Sequence, residues 1–142
     1  MTVIAWDGKT LAADKRALNN GRATTVTKIC KHEGWLLAVS GDLTRGLELV
    51  KWFKAGQDPE KLPAFQLTLA DYVPLLAINK DGVYLFEMGH MPFKIEEPFF
   101  ACGSGRDCAL TAMHLGRDAV QAVQITCEVL TNCGNGIDTL TL

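Results

Sequence analysis

Three short glycine turns, Asp7-Gly8-Lys9, His32-Glu33-Gly34 and Lys80-Asp81-Gly82, each separate two apolar stretches of strand length, and this constrains the chain more than any other feature. Turns this tight join antiparallel neighbours, whereas parallel strands need a crossover of a dozen residues or more. Thr2 to Trp6 and Thr10 to Ala13 therefore read as one hairpin, Val26 to Lys31 and Trp35 to Ser40 as a second, and Pro74 to Asn79 and Val83 to Met88 as a third. The first two are expected to share one sheet. Leu18 to Thr25 is polar and reads as a connection, and Pro92 to Ile95 and Phe99 to Cys102 read as further short strands.

Helical spacing enters between and after these blocks. From Asp42, a candidate N-cap, Leu43, Gly46, Leu47, Val50 and Phe53 recur at the helical period, and Ala55-Gly56 ends the pattern. Residues 57–73 hold short apolar clusters and two prolines and take no assignment. A helix is expected from Ser104 to about Leu115, and Asp118 caps another in which Ala119, Ala122, Val123, Thr126 and Cys127 share a face. The Cys133-Gly134-Asn135-Gly136 turn leads into a last strand, Ile137 to Leu142. Blocks of strands and helices in this order give an α+β domain with antiparallel pairing.

At 142 residues and 48% hydrophobic, the chain is long enough to bury a core without metal or disulfide support. Its net charge of −2 gives no general pull toward nucleic acid or anionic lipid, and neither is expected as a partner. No apolar run spans a membrane and no targeting segment stands at the start, so the expected compartment is the cytoplasm. Five cysteines, an odd number, point to reduced thiols. The cysteine and histidine spacings, His90 between Met88 and Met91 included, do not make a metal site.

Thr2 raises the chemical question. A threonine hydroxyl is a weak nucleophile without an adjacent base. Trimming Met1, which is common ahead of a small residue, would leave Thr2 with an α-amine of pKa about 7.7–8 beside its own hydroxyl. A carboxylate at the end of the second strand, Asp14, could orient that terminus, and Lys28 could supply positive charge favouring the neutral amine and a developing alkoxide. Taken singly, the same residues also read as a strand start, a strand end and a solvent-facing lysine.

In their joint order, these segments resemble the proteasome β-subunit family of N-terminal-nucleophile (Ntn) hydrolases, closest to its HslV-like branch and in a short form of the kind met in phage-derived genes. Thr2 resembles the nucleophile, Leu11-Ala12-Ala13-Asp14 the segment with the active-site aspartate, and Thr27-Lys28-Ile29 the segment with the lysine. Ala38-Val39-Ser40-Gly41 is similar to the turn whose glycine amide, here that of Gly41, forms the oxyanion hole. Cys102-Gly103-Ser104-Gly105 is similar to the Gly-Ser-Gly beside the active site, making Ser104 the supporting serine. Cys133-Gly134-Asn135-Gly136-Ile137-Asp138 is similar to the glycine turn before the final strand.

The resemblance implies an αββα sandwich of two antiparallel sheets flanked by helices, residues 1–142 as one domain, with the family's second helix shortened or missing across 57–73. It implies a threonine endopeptidase that needs no cofactor, acts on peptides or polypeptides, and assembles into a homo-oligomeric ring, fed in HslV-type systems by an ATP-dependent unfoldase. Glu128 falls nearest the place of the family's further acidic residue, and Ala17, Val26, Cys30, Val39, Leu43 and Leu47 fall where the family lines its first specificity pocket. That lining implies cleavage after an apolar residue. Two alternatives stand beside this one: a non-enzymatic assembly protein of the same fold, and an Ntn amidohydrolase acting on a small amide.

Overall fold

A computed structural model describes residues 2–142; Met1, on whose removal the nucleophile reading depends, lies outside the described residues. The chain runs β1 (Ile4–Trp6), β2 (Thr10–Asp14), β3 (Arg16–Asn19), β4 (Arg22–Thr25), β5 (Ile29–His32), β6 (Trp35–Val39), α1 (Leu43–Lys54), β7 (Leu75–Asn79), β8 (Gly82–Phe86), β9 (Phe93–Ile95), β10 (Phe100–Cys102), α2 (Arg106–His114), α3 (Ala119–Val129) and β11 (Ile137–Thr141). One antiparallel sheet has the order β10-β1-β2-β11, a second β5-β6-β7-β8-β9, and β3-β4 forms a separate ribbon.

Strand alternation builds the layers. In β1 and β2, Ile4, Trp6, Leu11 and Ala13 face the second sheet, where they meet Leu36, Leu76 and Ile78. Val3, Ala5 and Ala12 face the other way, onto Ala109, Ala112, Ala119, Ala122 and Val123 of α2 and α3. Small residues on both sides of that contact let helix and sheet backbones approach closely. On the outer face of the second sheet, Leu37, Val39, Leu75 and Ala77 pack against Leu49, Val50, Trp52 and Phe53 of α1. Three apolar interfaces thus separate four layers, helix, sheet, sheet and helix, and each fully buried Leu or Ile contributes about 1.5–3 kcal/mol. This is the α+β sandwich expected.

Several details differ from the sequence reading. The first two hairpins lie in different sheets, not one: β1–β2 takes β10 and β11 as neighbours, and β5–β6 takes β7. Because the core strands are buried on both faces, their apolar pattern does not say which sheet they join. Residues 16–25 form the β3–β4 hairpin rather than a connection, turning at Asn20 and Gly21 with φ of 50° and 78°. Both central residues at positive φ suit a type I′ turn, for which Asn-Gly is a strong signal. β4 is exposed throughout, so no alternation announced it.

Residues 57–73 hold two 3-10 turns, Pro59–Lys61 and Ala64–Leu67, where the family's second helix was expected to be short or absent. The buried Gln66 organises them: its amide nitrogen donates to the carbonyls of Val73 and Glu87, and its amide oxygen accepts from Val73 N–H. Asp42 caps α1 and Asp118 closes a capping box on α3, as expected. α2 begins at Arg106, leaving Ser104 on the turn ahead of it.

Candidate active site

Thr2 sits just ahead of β1 and is 4% exposed. Its N–H donates to Ser104 Oγ at 3.3 Å, while its carbonyl accepts from Gly105 N–H at 3.0 Å and from Ser104 Oγ at 3.4 Å. The turn before α2 therefore grips Thr2 from both sides of its main chain. Gly103 makes this possible, because at φ +89° a Cβ there would collide with the Thr2 carbonyl oxygen.

Asp14 ends β2 and is fully buried. Oδ1 accepts from Val3 N–H at 3.0 Å and from Lys28 Nζ at 2.8 Å; Oδ2 accepts from Arg16 N–H at 3.2 Å and from Gly134 N–H at 3.1 Å. Four donors offset much of the cost of taking a carboxylate out of water. Lys28, 5% exposed, also donates to the Arg16 carbonyl at 2.7 Å, so it faces the interior and not solvent. The carboxylate holds the N–H directly after Thr2 with one oxygen and an ammonium with the same oxygen, and this ties the charged pair to the position of Thr2.

Gly41 follows β6 in a left-handed conformation, φ +83°, that L side chains rarely adopt. Gly46 lets α1 lie close against Val39 at the end of β6, since a Cβ there would stand 2.8 Å from the Val39 side chain. Thr2, Lys28 and Gly41 line one cavity of about 350 Å³. Of the expected pocket residues, Ala17, Val26, Val39 and Leu43 line it too, whereas Cys30 and Leu47 are not among its lining residues. Cys30 packs toward the α1 side of the second sheet, and Leu47, one turn beyond Leu43, points outward and is 54% exposed. The cavity's remaining walls, Arg16, Leu18, Asn19, Asp42 and Thr44, are more polar than expected, with Leu18 alone apolar.

Glu128 stands apart from this group. It is exposed on the last turn of α3 and borders a surface hollow with Arg117, Gln121, Gln124 and Ile125. The turn after that helix is what reaches the site, through Gly134. Around Asp14, the sequence gives no sign of Arg16 and Gly134 as partners: the glycine turn is visible in it, but the partner of its amide cannot be read from spacing.

Two buried thiols flank the site, and neither is a ready nucleophile. Burial, against a nearby Arg106 charge and a hydrogen bond with Ser40, pushes the Cys102 thiol up to about 12. Burial, with the Asp14 charge adding to it, pushes Cys133 up to about 11. The thiolate is the reactive form, so both stay neutral and inert at physiological pH. Among the described residues there is no cluster of three His, Cys, Asp or Glu side chains placed to hold a metal ion, and no helix is long and apolar enough to cross a membrane.

No protein-family model matches the sequence, and neither does any curated protein. Solved structures do match. BPH of Thiobacillus denitrificans superposes with a TM-score of 0.73 at 19% identity, covering 99% of this chain and 96% of its own, and a second structure of it holds epoxomicin. A eukaryotic HslV, from Trypanosoma brucei, gives 0.72 at 15% identity, covering 98% and 97%. The Gly-1 mutant of Anbu from Hyphomicrobium sp. strain MC1 gives 0.70 at 12% identity, covering 100% and 82%. The chain has the proteasome and HslV type of Ntn fold.

Proposed function

We propose that this protein is a proteasome-type threonine endopeptidase, a single domain of residues 1–142 acting in the cytoplasm, with Thr2 as its N-terminal nucleophile. The observation that carries the reading is the buried Asp14–Lys28 pair at 2.8 Å, whose carboxylate also holds the N–H next to Thr2 on the wall of an open cavity. Burying two charges is costly, and a structural role alone would be met as well by apolar side chains.

After Met1 is removed, Thr2 Oγ attacks a peptide carbonyl while the α-amine, directly or through one water, takes the hydroxyl proton. Ser104 Oγ holds that nitrogen and Asp14 the next main-chain N–H, that of Val3. The Lys28 ammonium favours the neutral amine and the alkoxide, and the Gly41 N–H holds the tetrahedral oxyanion, an interaction worth about 2.7–4 kcal/mol. Collapse breaks the C–N bond, the proton passes to the leaving amine, and an ester on Thr2 remains. Water, deprotonated by the same α-amine, releases the acid and restores the enzyme. No cofactor takes part.

Ala17, Val26, Val39 and Leu43 favour an apolar residue before the scissile bond. Leu67, Leu69, Met91 and Leu115, each at least 62% exposed, give the surface apolar side chains to bury in a homo-oligomeric ring, which an ATP-dependent unfoldase would supply with polypeptide.

Intact-mass measurement with a peptide epoxyketone tests this. The ketone accepts Thr2 Oγ and the opened epoxide bonds the α-amine, so a stable adduct, heavier by the whole inhibitor, requires both groups on one residue. Loss of Met1 with one adduct per chain is the expected result, and Thr2→Ala should abolish adduct and peptide turnover while leaving fold and assembly intact. Retained Met1 with no adduct would favour the assembly protein, and turnover of small amides alone would favour the amidohydrolase.

A further inference from the structure

Arg16 joins the site in three ways at once. Its N–H donates to Asp14 Oδ2 at 3.2 Å and its carbonyl accepts from Lys28 Nζ at 2.7 Å, so its main chain touches both members of the charged pair. Its side chain turns outward to the 131–136 turn: Nε donates to Asn135 Oδ1 at 2.7 Å and Nη1 donates to the Thr131 carbonyl at 2.6 Å. The guanidinium lies so close over Gly134 that a Cβ there would stand 2.7 Å from Nη2. Asn135, at φ +63°, closes the arrangement by donating from Nδ2 to Thr25 Oγ1, and Thr25 is the register partner of Arg16 across the β3–β4 hairpin.

We infer that the Arg16 side chain is a positioning residue, a clamp that holds the 131–136 turn so that Gly134 N–H stays on the Asp14 carboxylate. The inference rests on the peptidase reading for its kinetic consequence but not for the clamp itself. Gly134 N–H, with the Lys15 N–H to Gly134 carbonyl bond at 3.0 Å, is the turn's direct tie to the segment carrying Asp14. The buried Cys133 anchors the start of the turn, but beyond it Gly134 and Gly136 bring no side chains to hold the part that faces Asp14. The guanidinium suits the task because its rigid fork reaches two acceptors on different residues, which a lysine ammonium cannot do with the same geometry. With the fork removed, the turn loosens, Asp14 keeps three of its donors, and water gains access to Oδ2. The charged pair then loses its fixed placement relative to Thr2, and because the guanidinium is fastened to Asn135 and Thr131, turnover should suffer more than substrate binding.

The test uses full-length protein whose mass shows Met1 removed, in four forms: Arg16→Ala, Arg16→Lys, Asn135→Gly, which keeps a residue tolerant of positive φ, and the Arg16→Ala/Asn135→Gly double variant. Arg16→Ala should lower kcat on a fluorogenic peptide by about 10–100-fold, the scale of a catalytic group displaced by about 1 Å, while KM moves by less than about threefold. Amide hydrogen exchange across 131–136 should rise about tenfold or more. Arg16→Lys should restore little of kcat, and the double variant should be no worse than Arg16→Ala, because both changes break one fastening. Accelerated exchange with unchanged kcat would overturn the positioning role, as would a raised KM at constant kcat or additive single effects. If the unaltered protein shows neither turnover nor an epoxyketone adduct, the peptidase reading fails separately; exchange then decides alone, and unchanged exchange in Arg16→Ala would overturn the clamp.

Discussion

Asp14 and Lys15 are consecutive residues, and each ends in an ion pair of nearly the same length: Asp14 with Lys28 at 2.8 Å, Lys15 with Asp138 at 2.7 Å. Water separates the two cases. The side chains of the first pair are 0% and 4% exposed and those of the second 22% and 31%. In the outer pair solvent shares the charges, so either partner can be lost cheaply. In the inner pair each charge depends on the other and on main-chain groups, three N–H donors for Asp14 and the Arg16 carbonyl for Lys28, so the pair is a commitment of the fold. The contrast shows that contact distance alone says little about what an ion pair does, and that the inner pair is the one to connect with Thr2.

The largest expected effect follows from breaking the inner pair. Lys28→Ala leaves the Asp14 carboxylate buried without its cation, which should cost about 3–5 kcal/mol in denaturant unfolding. Peptide turnover should fall by about 10²–10³ through loss of a preorganised charge. Asp14→Asn/Lys28→Met sharpens the comparison, since removing both charges should return much of the stability and none of the turnover. If Lys28→Ala destabilised no more than a change at Lys15, the distinction between inner and outer pairs would collapse.

A middling effect is expected at the two glycines that frame Thr2. Gly103 and Gly41 share a left-handed φ, +89° and +83°, so alanine at either is strained by about 1–2 kcal/mol. They differ in the room available. A Cβ at Gly41 would meet the Val73 side chain at an ordinary 3.5 Å, whereas one at Gly103 would strike the Thr2 main chain. Gly103→Ala should therefore lose a further ~1–3 kcal/mol from overpacking, and its epoxyketone labelling should slow well beyond that of Gly41→Ala. Equal labelling of the two variants would mean that the Gly103 contact does not position Thr2.

What was legible in the sequence follows the same division. Hairpin turns, helix caps and apolar spacing are local, and they announced most strands, the caps at Asp42 and Asp118 and the layered α+β class. Sheet membership was not legible, because Ile4, Leu11, Leu36 and Leu76 are equally apolar whichever sheet carries them. Among site residues, the structure brings Thr2, Asp14, Lys28, Gly41 and Ser104 to one end of the sandwich, all of which stood in ordered segments of a resemblance. Glu128 was placed by counting along a helix end, where a shift of one residue turns a side chain by about 100°, and it faces solvent. Arg16 escaped notice because its partners lie 115 and 119 residues away.

The smallest effect belongs to the outer pair, and it is the one that can undo the comparison from the other side. Lys15 Nζ donates to Asp138 Oδ2, half-buried, and to Thr27 Oγ1 at 3.2 Å, exposed. Lys15 also donates its main-chain N–H to the Gly134 carbonyl, and its Cδ lies near Gly136. Lys15→Met deletes the ammonium while keeping the main-chain bond and most of the aliphatic stem, so it isolates the charge. The expected cost is about 0.2–1 kcal/mol in urea unfolding, with turnover unchanged. It should shrink between about 0.1 M and about 1 M salt, as the Debye length falls from about 10 to about 3 Å. The Lys28→Ala cost should persist across the same range, because its pair is shielded from counterions by the protein around it. A salt-independent loss at Lys15, or a fall in turnover, would show that the outer pair helps hold the Gly134 turn, and the boundary between the two regions would then have to be redrawn to include Lys15.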